Sequence, residues 1–276
     1  MTESSGLPET PAESGPGDRS PGSRLFLFLL GTVSVFYAVV LIYHASVPPG
    51  GPDQTGFLEQ CRRICQQYGL VSTGHIRHDA RAFLTAVNKQ PLSDGLQALV
   101  SDPQFVPEAT QPHPLLGRPA PDFELLNEDG NPRKLSTLPG SGPVLLVFYY
   151  GFSCSHCVAQ LYALNDDVRY FNELGVRIVA ISSDKPQQTA AAFAEYGKFP
   201  FTMLSDPDDA TSRRYSCSLP PSRDSDGFRK HGTFLLDSQG TIVWANTGFL
   251  PFVDNRSLLT HAANLQQLPA AAIAAN

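Results

Sequence analysis

Cys154 and Cys157, in the run FYYGFSCSHCVAQL, are two thiols separated by two residues, where an apolar stretch gives way to a helical pattern. Sulfur attacks disulfides and peroxides as the thiolate, and the unpaired N–H groups and dipole at a helix start favour that anion. Two intervening residues put both sulfurs within one helical turn, close enough to close a disulfide between them. The spacing suggests reversible dithiol oxidation, with Cys154 the more exposed attacking thiol and Cys157, inside the first turn, the resolving one. His156, between them, favours the thiolate when it carries a positive charge. Packed core cysteines and half of a zinc site are the competing readings; no second CxxC is present to complete a zinc ribbon.

Three more cysteines need a place. Cys61 and Cys65 lie four apart on one face of a predicted helix. They suit a second dithiol exchanging electrons with Cys154 and Cys157, a metal site with His75 and His78, an inert disulfide, or two small buried side chains; the inert readings are favoured. Cys217 is the odd cysteine, in the polar loop YSCSLPPSRDSDG, where it can resolve a sulfenic acid, pair with another chain or stay free. His231, at a strand start, reads on its own as a hydrogen-bonded or surface residue. Trp244 reads as a packed hairpin residue, and residues 206–209 as a turn and helix start instead of paired catalytic carboxylates.

The elements that must position these residues fall into sections along the 276-residue chain. Residues 1–24 are rich in Pro, Gly and Ser and read as a disordered tail. Leu25 to Tyr43 is uncharged for nineteen residues, which at 1.5 Å per residue spans the roughly 30 Å core of a bilayer; it reads as an uncleaved transmembrane helix. Arg19 and Arg24 precede it and no Lys or Arg follows until Arg62, so the expected topology is single-pass, with the N-terminus cytoplasmic and the remainder extracytoplasmic. A linker at 44–56 leads to a small helical segment, 57–111, too short to be stable alone and expected to dock on the domain C-terminal to it. Pro107 to Pro121 is a proline-rich stretch. From 112 to 268 the texture is α/β: a hairpin around Asp129-Gly130, a buried strand at 144–150, helix from Ser155 to Leu174, strand 176–182, helix Pro186 to Gly197, the short FTML, and a further turn at Ala210 to Tyr215. A hairpin of GTFLLD and TIVWAN and a helix from Asp254 to Gln267 complete a mixed central sheet flanked by helices; residues 269–276 read as a flexible tail. A net charge of −6 disfavours nucleic acid and anionic surfaces as partners.

The order GRPAPDFELLNEDG, VLLVFYYGFSCSHC, VRIVAISSDKPQQTAAAFAEYG, LSDPDDATSRRY, HGTFLLDSQGTIVW resembles the thioredoxin superfamily. Within it, the likeness is to peroxiredoxins of the alkyl hydroperoxide reductase and thiol-specific antioxidant type, together with membrane-anchored thiol-disulfide oxidoreductases. It covers about residues 115–267. The resemblance implies a thioredoxin-like fold and a thiol-based oxidoreductase that reduces peroxides or disulfides through Cys154 and Cys157, without a metal or organic cofactor. Another thiol protein would supply the electrons. Peroxiredoxins carry Pro-x-x-x-Thr-x-x-Cys, whose last Cys attacks peroxide; Cys157 falls at that Cys, Cys154 at the Thr and Tyr150 at the Pro. If this is the better guide, the attacking role passes to Cys157. The family's nearby Arg is replaced by the titratable His231, which also stands where thioredoxins have a cis-proline. The chain also resembles anchored copper chaperones of the same superfamily, which use Cys-x-x-x-Cys; the alternative function is copper binding by Cys154, Cys157 and His231.

Overall fold

The computed structural model describes residues 21–46, 54–138, 142–220 and 227–267. Most of the expected N-terminal tail, linker residues 47–53 and the expected tail 269–276 lie outside them. The chain divides into two compact units at Gly51/Pro52. In the first, helix α1 (Pro21–Ser46) contains the whole expected membrane span. Its side chains are described from Leu25 to Leu41, seventeen residues, or about 26 Å of helix. Among the described residues no helix is long and apolar enough to cross a membrane. The expected span is therefore a helix whose crossing of a bilayer is not supported.

The second unit is built on a seven-stranded mixed sheet. Its strands are β1 (Glu124–Leu126), β2 (Pro132–Lys134), β3 (Val144–Phe148), β4 (Arg177–Ser182), β5 (Thr202–Ser205), β8 (His231–Leu236) and β9 (Ile242–Gly248), in the order β2-β1-β5-β4-β3-β8-β9. A separate two-stranded ribbon pairs β6 (Ser218–Leu219) with β7 (Phe228–Arg229). β3, β4 and β5 are parallel, and β8 returns antiparallel to β3, pairing Phe148 with Gly232. β3 is buried at every residue because both sheet faces are covered, one by helices and the other by residues such as Leu116, Phe123 and Tyr215, which is why its sequence is a continuous apolar run. Its side chains alternate between two cores: Leu145, Val147 and Tyr149 join one cluster, Val144, Leu146 and Phe148 the other. The Asp-Gly hairpin forms as expected, with the Asn127 Oδ1 accepting from the Asp129 and Asn131 N–H groups across the turn.

The helices are α2 (Gln54–Gln67), α3 (Ile76–Ala86), α4 (Leu96–Val100), α5 (Ser155–Asp166), α6 (Val168–Glu173), α7 (Pro186–Tyr196), α8 (Ala210–Arg214) and α9 (Asn255–Gln267). The single helix expected from Ser155 to Leu174 is broken at Asp167, whose buried carboxylate is held by tertiary bonds to Leu92 N–H, Lys89 Nζ and Asn255 Nδ2. The small helical segment packs on the sheet domain through α3 and α5. Phe83 and Leu84 enter the main core, and Arg81 Nη2 donates to Asp166 Oδ1 at 2.8 Å. The proline-rich stretch runs along the outer strand β9: Gln111 N–H donates to Ala245 O and Gly117 N–H to Ile242 O. An edge that would otherwise offer unpaired backbone groups is thereby covered. Trp244 is buried there as expected, its Nε1 donating to Glu108 O.

Candidate redox site

The turn from β3 into α5 is set by Gly151, at φ +127°, where a Cβ would fall 2.5 Å from the Asp184 carboxylate. Only glycine fits both that backbone and that neighbour. Asp184 in turn accepts the Phe152 N–H at 2.7 Å. Burial pushes its carboxyl up, and the Phe152 N–H and Arg229 oppose the rise. The turn delivers Cys154 as the N-cap of α5 and Cys157 in the first turn. The two are joined by a disulfide with their Cα atoms 5.3 Å apart. Both are buried, Cys154 2% exposed and Cys157 0%. Cys154 is thus only marginally the more exposed of the two, because the small helical segment and Tyr150 close over the pair.

His156 has no exposed surface, and its Nε2 lies 3.7 Å from Cys154 Sγ and 3.6 Å from Cys157 Sγ. Burial pushes its pKa down to about 4. His231 is also buried, its ring edge-on to Tyr150 at 4.6 Å and 5.8 Å from the His156 ring. Its Nδ1 lies 3.1 Å from Phe249 O. Burial and the neighbouring His156 push its pKa down to about 3. With the pair in its disulfide form, both imidazoles are therefore neutral near pH 7. The arginine nearest His231 in sequence, Arg229, is engaged elsewhere: its guanidinium is bound to Asp209, while its carbonyl accepts the Tyr150 hydroxyl.

Cys61, on α2, joins Cys154, Cys157 and Tyr150 in one buried cluster. The ligand atoms of Cys61, Cys154, His156 and Cys157 all lie within 4.8 Å of one another. Cys65, one turn further on, is half-buried, its Sγ 3.8 Å from His156 Nδ1 and 4.0 Å from Ser155 Oγ. Burial pushes the Cys61 thiol up to about 12 and raises that of Cys65. Both are free thiols, and Cys61 is the small buried side chain of the favoured reading, although α2 docks it against Cys154 and Cys157. His75 and His78 do not join them: His75 caps α3 and packs edge-on to Tyr196, and His78 lies against Asp79. Cys217, expected in a polar loop, is a free thiol buried in the core on the other sheet face, its Sγ filling the space a Cβ on Gly232 would need. Burial pushes its thiol up, so a role as resolving or intermolecular thiol is not supported. Asp206 accepts from Thr211 N–H and Ser212 N–H at the start of α8, as a turn and helix start require.

Residues 116–245 match the model of the AhpC/TSA family. Peroxiredoxin Bcp of Escherichia coli K12 is 32% identical over 126 residues, 45% of this chain and 79% of that protein. The chloroplastic peroxiredoxin Q of Sedum lineare is 31% identical over 126 residues, 46% of this chain and 65% of its own length. A putative peroxiredoxin of Mycobacterium tuberculosis, 35% identical over 94 residues, is spanned over 60% of its length. The chain thus spans less than two thirds of the length of some of these relatives. Among solved structures, the peroxidoxin BcpB of Mycobacterium tuberculosis is 24% identical, with a TM-score of 0.48, covering 59% of this chain and all of that one.

Proposed function

Because the chain belongs to the AhpC/TSA family of peroxiredoxins, we propose that it is a thiol peroxidase in which Cys154 and Cys157 cycle between dithiol and disulfide. The observation that carries this reading is the Cys154–Cys157 disulfide at the first turn of α5, directly after the buried central strand β3. Cys157 is the attacking residue, since it holds the last position of the family's Pro-x-x-x-Thr-x-x-Cys spacing. Its thiolate attacks one peroxide oxygen, the O–O bond breaks, and the other oxygen leaves as alcohol or water with a proton. The resulting sulfenic acid is attacked by the Cys154 thiol; water leaves and the disulfide forms. A dithiol protein then reduces the disulfide, becoming oxidised itself. Both sulfurs are buried in the oxidised form, so the cycle requires local opening of α5 or of the α2 that covers it.

The test is steady-state peroxide consumption with a dithiol donor. Cys157→Ser is expected to abolish turnover. Cys154→Ser retains one stoichiometric reaction with peroxide and accumulates a sulfenic acid that dimedone traps. Peroxide consumption that persists in Cys157→Ser would sink the assignment, and loss of the first reaction in Cys154→Ser alone would move the attack to Cys154.

Attachment to a membrane through α1, with Arg19 and Arg24 on the cytoplasmic side and the redox domain extracytoplasmic, is part of the same proposal. Its support is that α1 carries large apolar side chains on every side, from Leu27 at 45% exposed to Phe36 at 70%.

A further inference from the structure

The Cys154–Cys157 pair does not stand alone. Cys61 reaches it from α2, more than ninety residues away in sequence, and His156 touches both of its sulfurs. We propose that, when the disulfide is reduced, Cys61, Cys154, Cys157 and Nε2 of His156 form a closed tetrahedral site for one zinc-type divalent cation.

The argument is geometric. In a tetrahedral site with Zn–S of about 2.3 Å and Zn–N of about 2.0–2.1 Å, neighbouring ligand atoms stand about 3.5–3.8 Å apart. His156 Nε2 already lies 3.7 Å and 3.6 Å from the two sulfurs of the pair. One ligand atom from each of the four residues, a ring nitrogen in the case of His156, lies within 4.8 Å of the others, so only small side-chain movements are needed once the S–S bond is gone. Three thiolates and an imidazole are a soft set that suits zinc, and four buried protein ligands leave no open position for water, as in structural sites. The other ring nitrogen of His156 lies 3.3 Å from Cys154 Sγ in the disulfide form and 3.8 Å from Cys65 Sγ; once Cys154 is drawn to the cation, Cys65 is the partner that orients the ring in the way outer groups around bound metals do. The site has one negative charge in excess, and the start of α5, where Cys154 is the N-cap, offers the positive end of a helix dipole to it.

Oxidation opens the site. Two thiolates, one peroxide and two protons give the Cys154–Cys157 disulfide, an alcohol or water, and a further water. The cation keeps only Cys61 and His156 and is released. The site is thus mutually exclusive with the disulfide and holds the reduced thiols in reserve until the cation leaves. His231, the residue that pairs with the cysteines in the copper reading, falls outside the set: its Nδ1 is engaged by Phe249 O.

The full chain, reduced with a phosphine under anaerobic conditions, is titrated with Zn2+ against a chromophoric chelator and with Co2+ as a spectroscopic probe. One cation per chain is expected, with thiolate-to-cobalt charge-transfer absorption, and no binding by the disulfide form. Cys61→Ser is expected to weaken Zn2+ binding at least about tenfold and to cut the charge-transfer intensity by about a third, whereas Cys65→Ser retains a one-to-one complex. In the native chain, Zn2+ should shield Cys61, Cys154 and Cys157 from alkylation, read by mass spectrometry, which requires no variant to fold. Absence of a one-to-one complex, unchanged binding in Cys61→Ser, or equal alkylation with and without Zn2+ overturns the proposal. Peroxide consumption by the metal-free reduced chain is measured separately, so failure of this site and failure of the peroxidase reading are told apart.

Discussion

Asp167 has no exposed surface, yet its carboxylate meets three donors from two distant parts of the chain: Leu92 N–H at 2.8 Å, Lys89 Nζ at 2.9 Å and Asn255 Nδ2 at 2.8 Å. It ties the small helical segment, the α5/α6 break and the start of α9 at one point. Removing the carboxylate leaves Lys89, itself only 11% exposed, as an uncompensated charge. Asp167→Ala is therefore expected to cost about 3–5 kcal/mol, read as a lower midpoint in urea unfolding; a loss under about 1 kcal/mol would show that water or another carboxylate replaces it. The redox pair was legible at this scale because CxxC between an apolar run and a helix is a local pattern. Cys61 was not, because its partners lie more than ninety residues on and only the docking of α2 brings it to them. Nor were the charge states of His156 and His231, since burial sets both.

The strands of the central sheet and the hairpins at 124–134 and 231–248 were legible as elements, because apolar runs and turn residues are local signals. The broken helix and the proline-rich strap over β9 were not: each depends on a hydrogen bond to a distant segment. The small helical segment shows what short-range bonds contribute beside them. Before α3, the chain turns on Asp79, which accepts from Ser72 Oγ at 2.8 Å and from Thr73 N–H and Oγ1 at 2.9 and 2.6 Å. Burial pushes its carboxyl up, but the bonds from Thr73 and Ser72 outweigh this and hold it below the usual range. A carboxyl with a lower pKa folded than unfolded adds stability above the unfolded value, about 3.9, and loses it as pH falls through the folded value. Asp79→Asn is expected to be less stable than the native chain by about 1–3 kcal/mol at pH 7. The gap should narrow as pH drops below about 4. Thermal unfolding of both proteins from pH 7 to pH 3 checks this, and a gap that stays constant would mean that the carboxylate charge is not what holds the loop.

At the scale of the whole chain, the boundary at Gly51/Pro52 separates a helix that exposes its apolar side chains from a unit with its own cores. The second unit contains all the cysteines, every strand described and the family match at 116–245, so nothing in the proposed cycle draws on α1. A chain beginning at Pro52 is accordingly expected to keep the thermal midpoint and the peroxide turnover of the full-length protein. Attachment to lipid should separate in the opposite way. With a net charge of −6 the chain gains nothing from electrostatic attraction to an anionic surface, which leaves burial of the Leu, Phe and Val side chains of α1 as the driving force. Binding carried by apolar burial does not weaken when salt screens charge. Full-length protein should therefore co-sediment with neutral phosphatidylcholine vesicles equally at low salt and at about 1 M salt, and the chain from Pro52 should remain in the supernatant at both. If the truncated chain also sediments, or if salt releases the full-length one, the attachment lies in the second unit or in its charges, and the role proposed for α1 fails while the redox assignment stands.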